Sequence, residues 1–338
     1  MEGNILQLKK IGIFRALQLG DLLCAMPAIQ NLRLAYPKAE IVFIGLPSTR
    51  KLIERYSELF DRFIDFSGYP GLPEMPFDEK TFSRFCKNLT DEAFDVILQM
   101  HGNGTIVNEM LKACSGGSRI AGFALSSNEL AENPLLMPYP NWGHESLRHI
   151  ALMKHLGIAI ATRAVFYPLY QNDFERLDTL GVGEHYICIH CGSRGTWRQW
   201  PPDFFAKLAD YCARHAFRIV LTGTSEELEI TNQVAALMKE KPLILAGKTD
   251  LGMVGALLKR SKGLISNCTG ISHIAAALRV KSVVISMDGE PERWGPIDTT
   301  RHKTIDWTKT PNYALVEQVV KEMLFPEEDH QMQQISFG

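Results

Sequence analysis

At 338 residues the chain is long enough for about two domains, and 46% hydrophobic against 22% charged residues argues against disorder. Its 36 Lys+Arg and 38 Asp+Glu give a net charge of −2 that is spread evenly over both halves, which excludes a nucleic-acid arm or a polybasic membrane anchor. Seven cysteines, an odd number scattered through apolar segments, read as buried thiols of a reducing compartment rather than as a disulfide framework.

The opening MEGNILQLKKIGIF has no apolar core of signal-peptide length. No run reaches the roughly 18 apolar residues that a membrane span requires. A soluble, intracellular chain is therefore expected.

Short β-branched runs alternate with amphipathic stretches from end to end. In the first half, strands are predicted at 11–14, 40–46, 62–66, 95–100 and 119–123. Helical patterns fall between them, as at 22–36, where Leu22, Leu23, Met26, Ile29, Leu32 and Leu34 recur at helix-like spacing. A break follows at 162–184, with Pro168, Asn172, Gly181 and Gly183 around a short charged helix. The second half repeats the theme, with strands at 185–190, 217–222, 243–246, 263–266 and 282–287. Helices near 203–215, 225–239, 251–260 and 270–278 separate them, and a last helix near 312–324 precedes an acidic, Gln-rich tail. The alternation predicts an α/β chain of two domains, each a doubly wound parallel sheet covered by helices. They are placed at 1–165 and 180–311, with a C-terminal helix and tail at 312–338. Two such domains facing one another would leave a cleft lined by the carboxyl ends of their strands, where these sheets bind ligands.

Four strand-to-helix turns could carry chemistry. In RALQLGDLLCAMPAIQNLR, Asp21 suits either a helix cap or a strand-end carboxylate free to take a proton from a hydroxyl. In CIHCGSRGTWRQWPPDFFAKL, Gly192, Ser193 and Gly195 let backbone N–H groups approach an anion, and Arg194 and Arg198 offer charge-assisted hydrogen bonds to phosphate. VLTGTSEELEI carries Gly223, Glu226 and Glu227, where an acid either starts the helix or accepts hydrogen bonds from ribose hydroxyls. In LISNCTGISHIAAALRV, Thr269 and Gly270 bring hydroxyl and N–H donors to a positive helix end suited to a pyrophosphate.

Other motifs fall away. Cys188-x-x-Cys191 lies at a strand end, where side chains three apart point to opposite faces, and no second pair completes a zinc site. His144, Glu145 and His149 miss the HExxH spacing, and Gly102-x-Gly104 has Val107 where a dinucleotide fingerprint needs its third glycine. Neither a metal nor a cofactor is expected.

Taken in order, GDLLCAMPAIQNLRLAYPKAEI, IHCGSRGTWRQWPPDFF, LAGKTDL, SNCTGISHIAAAL and MDGEPERWGP resemble the motifs of glycosyltransferase family 9, the ADP-heptose:lipopolysaccharide heptosyltransferases. The resemblance implies a GT-B architecture of two Rossmann-like domains, the second holding the nucleotide sugar. It also implies inversion at the sugar C1 without an essential metal. Asp21 matches the family's catalytic carboxylate, with Arg15, Gly20 and Asn103 on the acceptor side. Arg198 matches its basic phosphate contact, beside Ser193, Thr269 and Gly270, and Glu226 or Glu227 its ribose-side acid. Gly223, Lys248, Cys268 and His273 complete the implied donor set. The implied partners are a nucleotide sugar and a glycan or glycolipid acceptor, with no nucleic acid. Membrane contact would be at most peripheral, at the cytoplasmic face of the inner membrane.

Two departures bear on the substrates. Cys268 stands where the family has the aspartate of Asn-Asp-Thr-Gly, and a thiol does not accept hydrogen bonds as a carboxylate does. In HGNGTIVNEM, Thr105 or Ile106 stands where the family has a basic residue, which points to an acceptor less charged than inner-core Kdo. Sugar transfer is the leading expectation. A catalytically silent glycan-binding protein and a GT-B-like nucleotide-sugar epimerase are the alternatives.

Overall fold

Runs of β-branched and apolar residues become central strands of two parallel sheets, buried on both faces as helix-covered strands must be. The computed structural model describes residues 8–325; the start of the chain and the acidic, Gln-rich tail lie outside the described residues. In the unit Met1–Val165, the strands are β1 (Lys10–Phe14), β2 (Glu40–Gly45), β3 (Arg62–Asp65), β4 (Val96–Gln99), β5 (Arg119–Ala124) and β6 (Leu136–Pro138). They form a six-stranded sheet in the order β3-β2-β1-β4-β5-β6. Ile11 pairs in parallel register with Ile41 on one side and Val96 on the other. The helices are α1 (Leu19–Ala35), α2 (Arg50–Arg55), α3 (Glu79–Asp91), α4 (Thr105–Cys114), α5 (Ser127–Glu132) and α6 (Glu145–His155).

The unit Phe166–Gly338 is wound the same way. Its strands are β7 (Tyr186–His190), β8 (Arg218–Leu221), β9 (Leu243–Ile244), β10 (Leu264–Asn267), β11 (Ser282–Ser286) and β12 (His302–Asp306), in the order β12-β11-β10-β7-β8-β9. Its helices are α7 (Gln171–Asp178), α8 (Pro202–Arg214), α9 (Leu228–Leu237), α10 (Leu251–Arg260), α11 (Gly270–Ala277), α12 (Pro291–Trp294) and α13 (Tyr313–Leu324). The winding reverses between β1 and β4 in the first sheet and between β7 and β10 in the second. Chain leaving those strands diverges and opens a crevice, the usual ligand position in such sheets.

The predicted strands reappear with ends shifted by two residues at most. The pattern does not reveal β6 or β12, both edge strands. Leu136–Pro138 is three residues long and ends in a proline, and four of the five residues of His302–Asp306 are polar, so only pairing with β5 and β11 makes them strands. The charged helix α7 packs on α10 and α13 packs on β11, so both belong to the second unit. Among the described residues no helix is long and apolar enough to cross a membrane.

The expectation of seven free thiols needs correction. Cys86 on α3 and Cys114 at the end of α4 are joined in a disulfide, because packing of these helices brings their Cα atoms to 4.4 Å across a sequence separation of 28. Cys24, Cys188, Cys191, Cys212 and Cys268 are free and buried.

An ion-pair network ties together the amino ends of the first sheet. Arg62 on β3 contacts Glu40 on β2 and Glu92 after α3, and Lys10 on β1 reaches Glu92 at 2.6 Å. Hydrogen bonds from Arg62, joined by Lys10, outweigh partial burial and hold the Glu92 carboxyl at about 2 instead of its usual 4.5. A carboxyl depressed on folding stabilises the native state above its unfolded value, and that contribution disappears as pH falls from 4.5 to 2. With Arg62 partly exposed, it is worth about 1–2 kcal/mol. Glu92→Gln should lower stability by that amount at pH 7 and flatten its decline in acid, measured by urea unfolding at pH 7 and pH 3.

Candidate active site

The first crevice is built on a buried arginine. Arg15 directly follows β1 and is fully buried, so its charge must be met by surrounding groups. Its Nε donates to the Asp21 carbonyl at 3.0 Å, and Nη1 donates to the Met100 carbonyl beyond β4. Its Nη2 makes no hydrogen bond, lying 3.6 Å from Glu145 Oε1 and 4.0 Å from Asp21 Oδ1. Glu145 opens α6 and is buried, with its carboxylate 3.6 Å from Arg148 and 3.5 Å from His149. Two guanidinium groups and two carboxylates thus meet at the switch point.

Asp21 is in the first turn of α1, behind Gln18 at the cap, with its side chain 25% exposed. Burial raises its pKa, Arg15 opposes that, and Glu145 adds to the rise. The result is a carboxylate more basic than usual, still open to solvent, at a positive helix end. Gly20 precedes it in the same turn. His101, after β4, accepts from the Ala16 N–H through Nδ1, and burial reinforced by Arg15 holds it down at about 3. His149 is held at about 4 by burial and by Arg15, so both imidazoles are neutral at pH 7.

Asn103 sits in the β4–α4 turn, where its Oδ1 accepts from the N–H and hydroxyl of Thr105. Thr105 and Ile106 are exposed beside it. Gly104 caps α4 at φ +84°, and a Cβ there would strike the Phe123 carbonyl.

The second crevice joins the loops after β7 and β10. Asn267, fully buried at the end of β10, donates to the carbonyls of Cys191 and Gly192 at 2.8 and 3.1 Å and accepts from the Trp200 N–H at 2.9 Å. Trp200 is fully buried among Phe204, Phe205, Trp307 and Tyr313, which anchors the loop on the core. Between these fixed points, Arg198 pairs with Asp288 beyond β11 and reaches the Cys268 carbonyl at 3.4 Å. Ser193 is buried on the same loop, its hydroxyl without a hydrogen-bond partner. The Thr269 hydroxyl is likewise buried and unpaired at the cap of α11, which Gly270 opens.

The other proposed donor residues surround this pair of loops. Glu227 Oε2 accepts from the Thr224 N–H at 2.7 Å, and Oε1 lies 3.7 Å from His190. Burial pushes the Glu227 carboxyl up, but His190 and the Thr224 amide prevail and leave it at about 2. A Cβ on Gly192 would collide with this carboxyl group, so the close approach requires glycine. Glu226 is exposed, so of the two acids it is Glu227 that turns toward the loop after β7. Gly223 packs against Glu227 and Ala246, Lys248 is exposed in the turn after β9, and His273 is buried in α11. Cys268 is buried, and desolvation together with Asp288 pushes its thiol up to about 12. Among the described residues no three His, Cys, Asp or Glu side chains are grouped to hold a metal ion.

Residues 82–320 match the model of glycosyltransferase family 9 (heptosyltransferase). The chain belongs to that family. It is therefore a glycosyltransferase. Lipopolysaccharide heptosyltransferase 3 of Escherichia coli (strain K12) is 26% identical over 289 residues, which cover 82% of each chain. The glycosyl transferase family 9 protein of Veillonella parvula superposes with a TM-score of 0.76 at 19% identity, covering 94% of this chain and 90% of that one. E. coli ADP-heptose lps heptosyltransferase II gives 0.74 at 19% identity over 94% and 99%. The architecture is accordingly GT-B, with two Rossmann-like units.

Three residues that position these crevices escape sequence reasoning. Glu145 falls away with the broken HExxH spacing, although Glu145 and His149 are four apart on one face of α6. Asn267 sits inside a recognised motif, but its bonds run to residues 76 and 75 positions away. Asp288 meets Arg198 across 90 positions.

Proposed function

We propose that this family 9 enzyme transfers a heptosyl group from ADP-heptose to a hydroxyl of a lipopolysaccharide-core glycan, with inversion at the sugar C1 and without a metal or other cofactor. Its likeness to lipopolysaccharide heptosyltransferase 3 and ADP-heptose lps heptosyltransferase II supports the donor and the acceptor class. The observation that carries the catalytic part is Asp21, a solvent-open carboxylate held basic by burial and Glu145 at a sheet switch point. The acceptor hydroxyl gives its proton to Asp21 as its oxygen bonds to C1. As that bond forms, the C1–O bond to the diphosphate breaks, and ADP leaves with the electron pair.

Arg198, the Ser193 and Thr269 hydroxyls and the N–H groups opening α11 at Gly270 receive the leaving charge, which preorganised donors stabilise more in the transition state than in the ground state. Glu227 accepts from the ribose hydroxyls, with Gly223, Lys248, Cys268 and His273 completing the donor surroundings. Arg15, Gly20 and Asn103 serve the acceptor side. Contact with the lipid-linked acceptor is peripheral, at the cytoplasmic face of the inner membrane.

The test is incubation with ADP-heptose and truncated lipopolysaccharide cores, following ADP release and the anomeric configuration of the product by NMR. ADP should appear only when acceptor is present, EDTA should leave the rate unchanged, and UDP- and GDP-sugars should not substitute. Nucleotide release from donor alone would instead indicate epimerase-type chemistry. Donor binding with no transfer to any core would indicate a silent glycan-binding protein.

A further inference from the structure

A carboxylate next to a phosphate-binding arginine repels the phosphate, so its presence in an anion site calls for a second role. Asp288 is such a group. Its Oδ2 pairs with Arg198 Nη2, the nitrogen that also reaches the Cys268 carbonyl at 3.4 Å. Its Oδ1 accepts from Ser286 Oγ at 2.7 Å and from the Glu290 N–H at 3.3 Å, and the side chain is only 10% exposed. The carboxylate is therefore clamped from both flanks of the β11 turn rather than swinging in solvent.

A carboxylate held in this way suits the hydroxyls of a polyol. An ionised carboxyl group offers about four acceptor positions, and the contacts above leave Oδ2 with capacity beyond Arg198. The unpartnered hydroxyls of Ser193 and Thr269, on the loops after β7 and β10, are taken by the diphosphate, and Cys268 contributes a neutral thiol that cannot take a carboxylate's part. Hydroxyl groups donate to a carboxylate; a phosphate does not.

We propose that Asp288 is a specificity-determining residue of the donor site, holding Arg198 for the diphosphate and accepting hydrogen bonds from hydroxyls of the transferred sugar. The inference rests on the donor reading above, and its test separates the two. Calorimetry with the full chain would compare ADP and ADP-heptose on wild type and Asp288→Asn, with Cys268→Asp added to the latter as a rescue.

Loss of the charged acceptor should weaken ADP-heptose binding about ten- to a hundredfold. ADP binding should stay the same or tighten, because a negative charge near the diphosphate has been removed. Retained ADP binding also reports that the variant is folded. Adding Cys268→Asp should recover part of the affinity for ADP-heptose and return ADP binding toward the wild-type value, because it restores a negative charge beside Arg198. An equal change in both affinities, or none in either, overturns the role of Asp288 and leaves the donor reading standing. A wild type that binds neither ligand overturns the donor reading and this inference with it.

Discussion

Asp21→Asn is expected to lower kcat by about a thousandfold while leaving affinity for ADP-heptose unchanged. The amide is isosteric but cannot take the acceptor's proton, whereas the proposed donor loops belong to the other unit. ADP release under saturating substrates measures the first effect and calorimetry the second. A loss of donor affinity in place of kcat would contradict the assignment. The pH dependence follows from the direction of the shift: the base works only when deprotonated, so the wild-type rate should climb through a pKa above 3.8. Stability should move the opposite way to activity. A carboxyl whose pKa is raised on folding binds protons more readily in the native state, so above its unfolded value it penalises folding. Removing it should leave the melting temperature equal or higher at pH 7, the signature of a group kept for chemistry at a cost in stability.

Glu145 is expected to produce the other large effect. Glu145→Ala leaves the fully buried Arg15 with only the partly exposed Asp21, at 4.0 Å, to balance its charge, and breaking a buried ion pair on one side costs about 3–5 kcal/mol. Thermal or urea unfolding reads that loss. Glu145→Gln is the gentler variant, because the amide oxygen still faces Arg15 and Arg148. It also tests what the residue does for Asp21. Glu145 raises the Asp21 pKa directly, and it competes for the guanidinium that lowers it. Removing its charge must therefore move the acid limb of the pH–rate profile to lower pH. A purely structural Glu145 would lower stability and leave that limb in place. His101 and His149, the other titratable groups of the cluster, are held at about 3 and about 4, and loss of Glu145 lowers His149 further rather than bringing it toward neutral pH.

Much of the site is legible without coordinates because its residues sit where local rules operate. Each lies at a strand-to-helix turn, and turns are written in short-range chemistry: Gly20-Asp21 at the head of α1, Thr269-Gly270 at the head of α11, Pro202 opening α8. The ordered motifs carry the family by the same means. The departures, Cys268 and Thr105 or Ile106, are also visible in the chain. Their neighbours are not. The carboxylate that faces Arg198 arrives from beyond β11, and the one that faces Arg15 arrives on α6.

The amino-acid sequence by itself determined the alternation of strand and helix, the parallel class of both sheets, the central strands and the turns that hold Asp21, Arg198 and Thr269. Hydrophobic periodicity and capping act over a few residues, so they can be read along the chain. Only the tertiary structure decided that β6 and β12 are strands, that Cys86 meets Cys114, that Glu227 rather than Glu226 faces the β7 loop, and that Glu145 and Asp288 stand beside the two arginines. Edge pairing, a bond between helices and the partner of a buried charge all depend on which distant segments the winding brings together. A charge buried on one strand end must be met, but nothing local says by which residue.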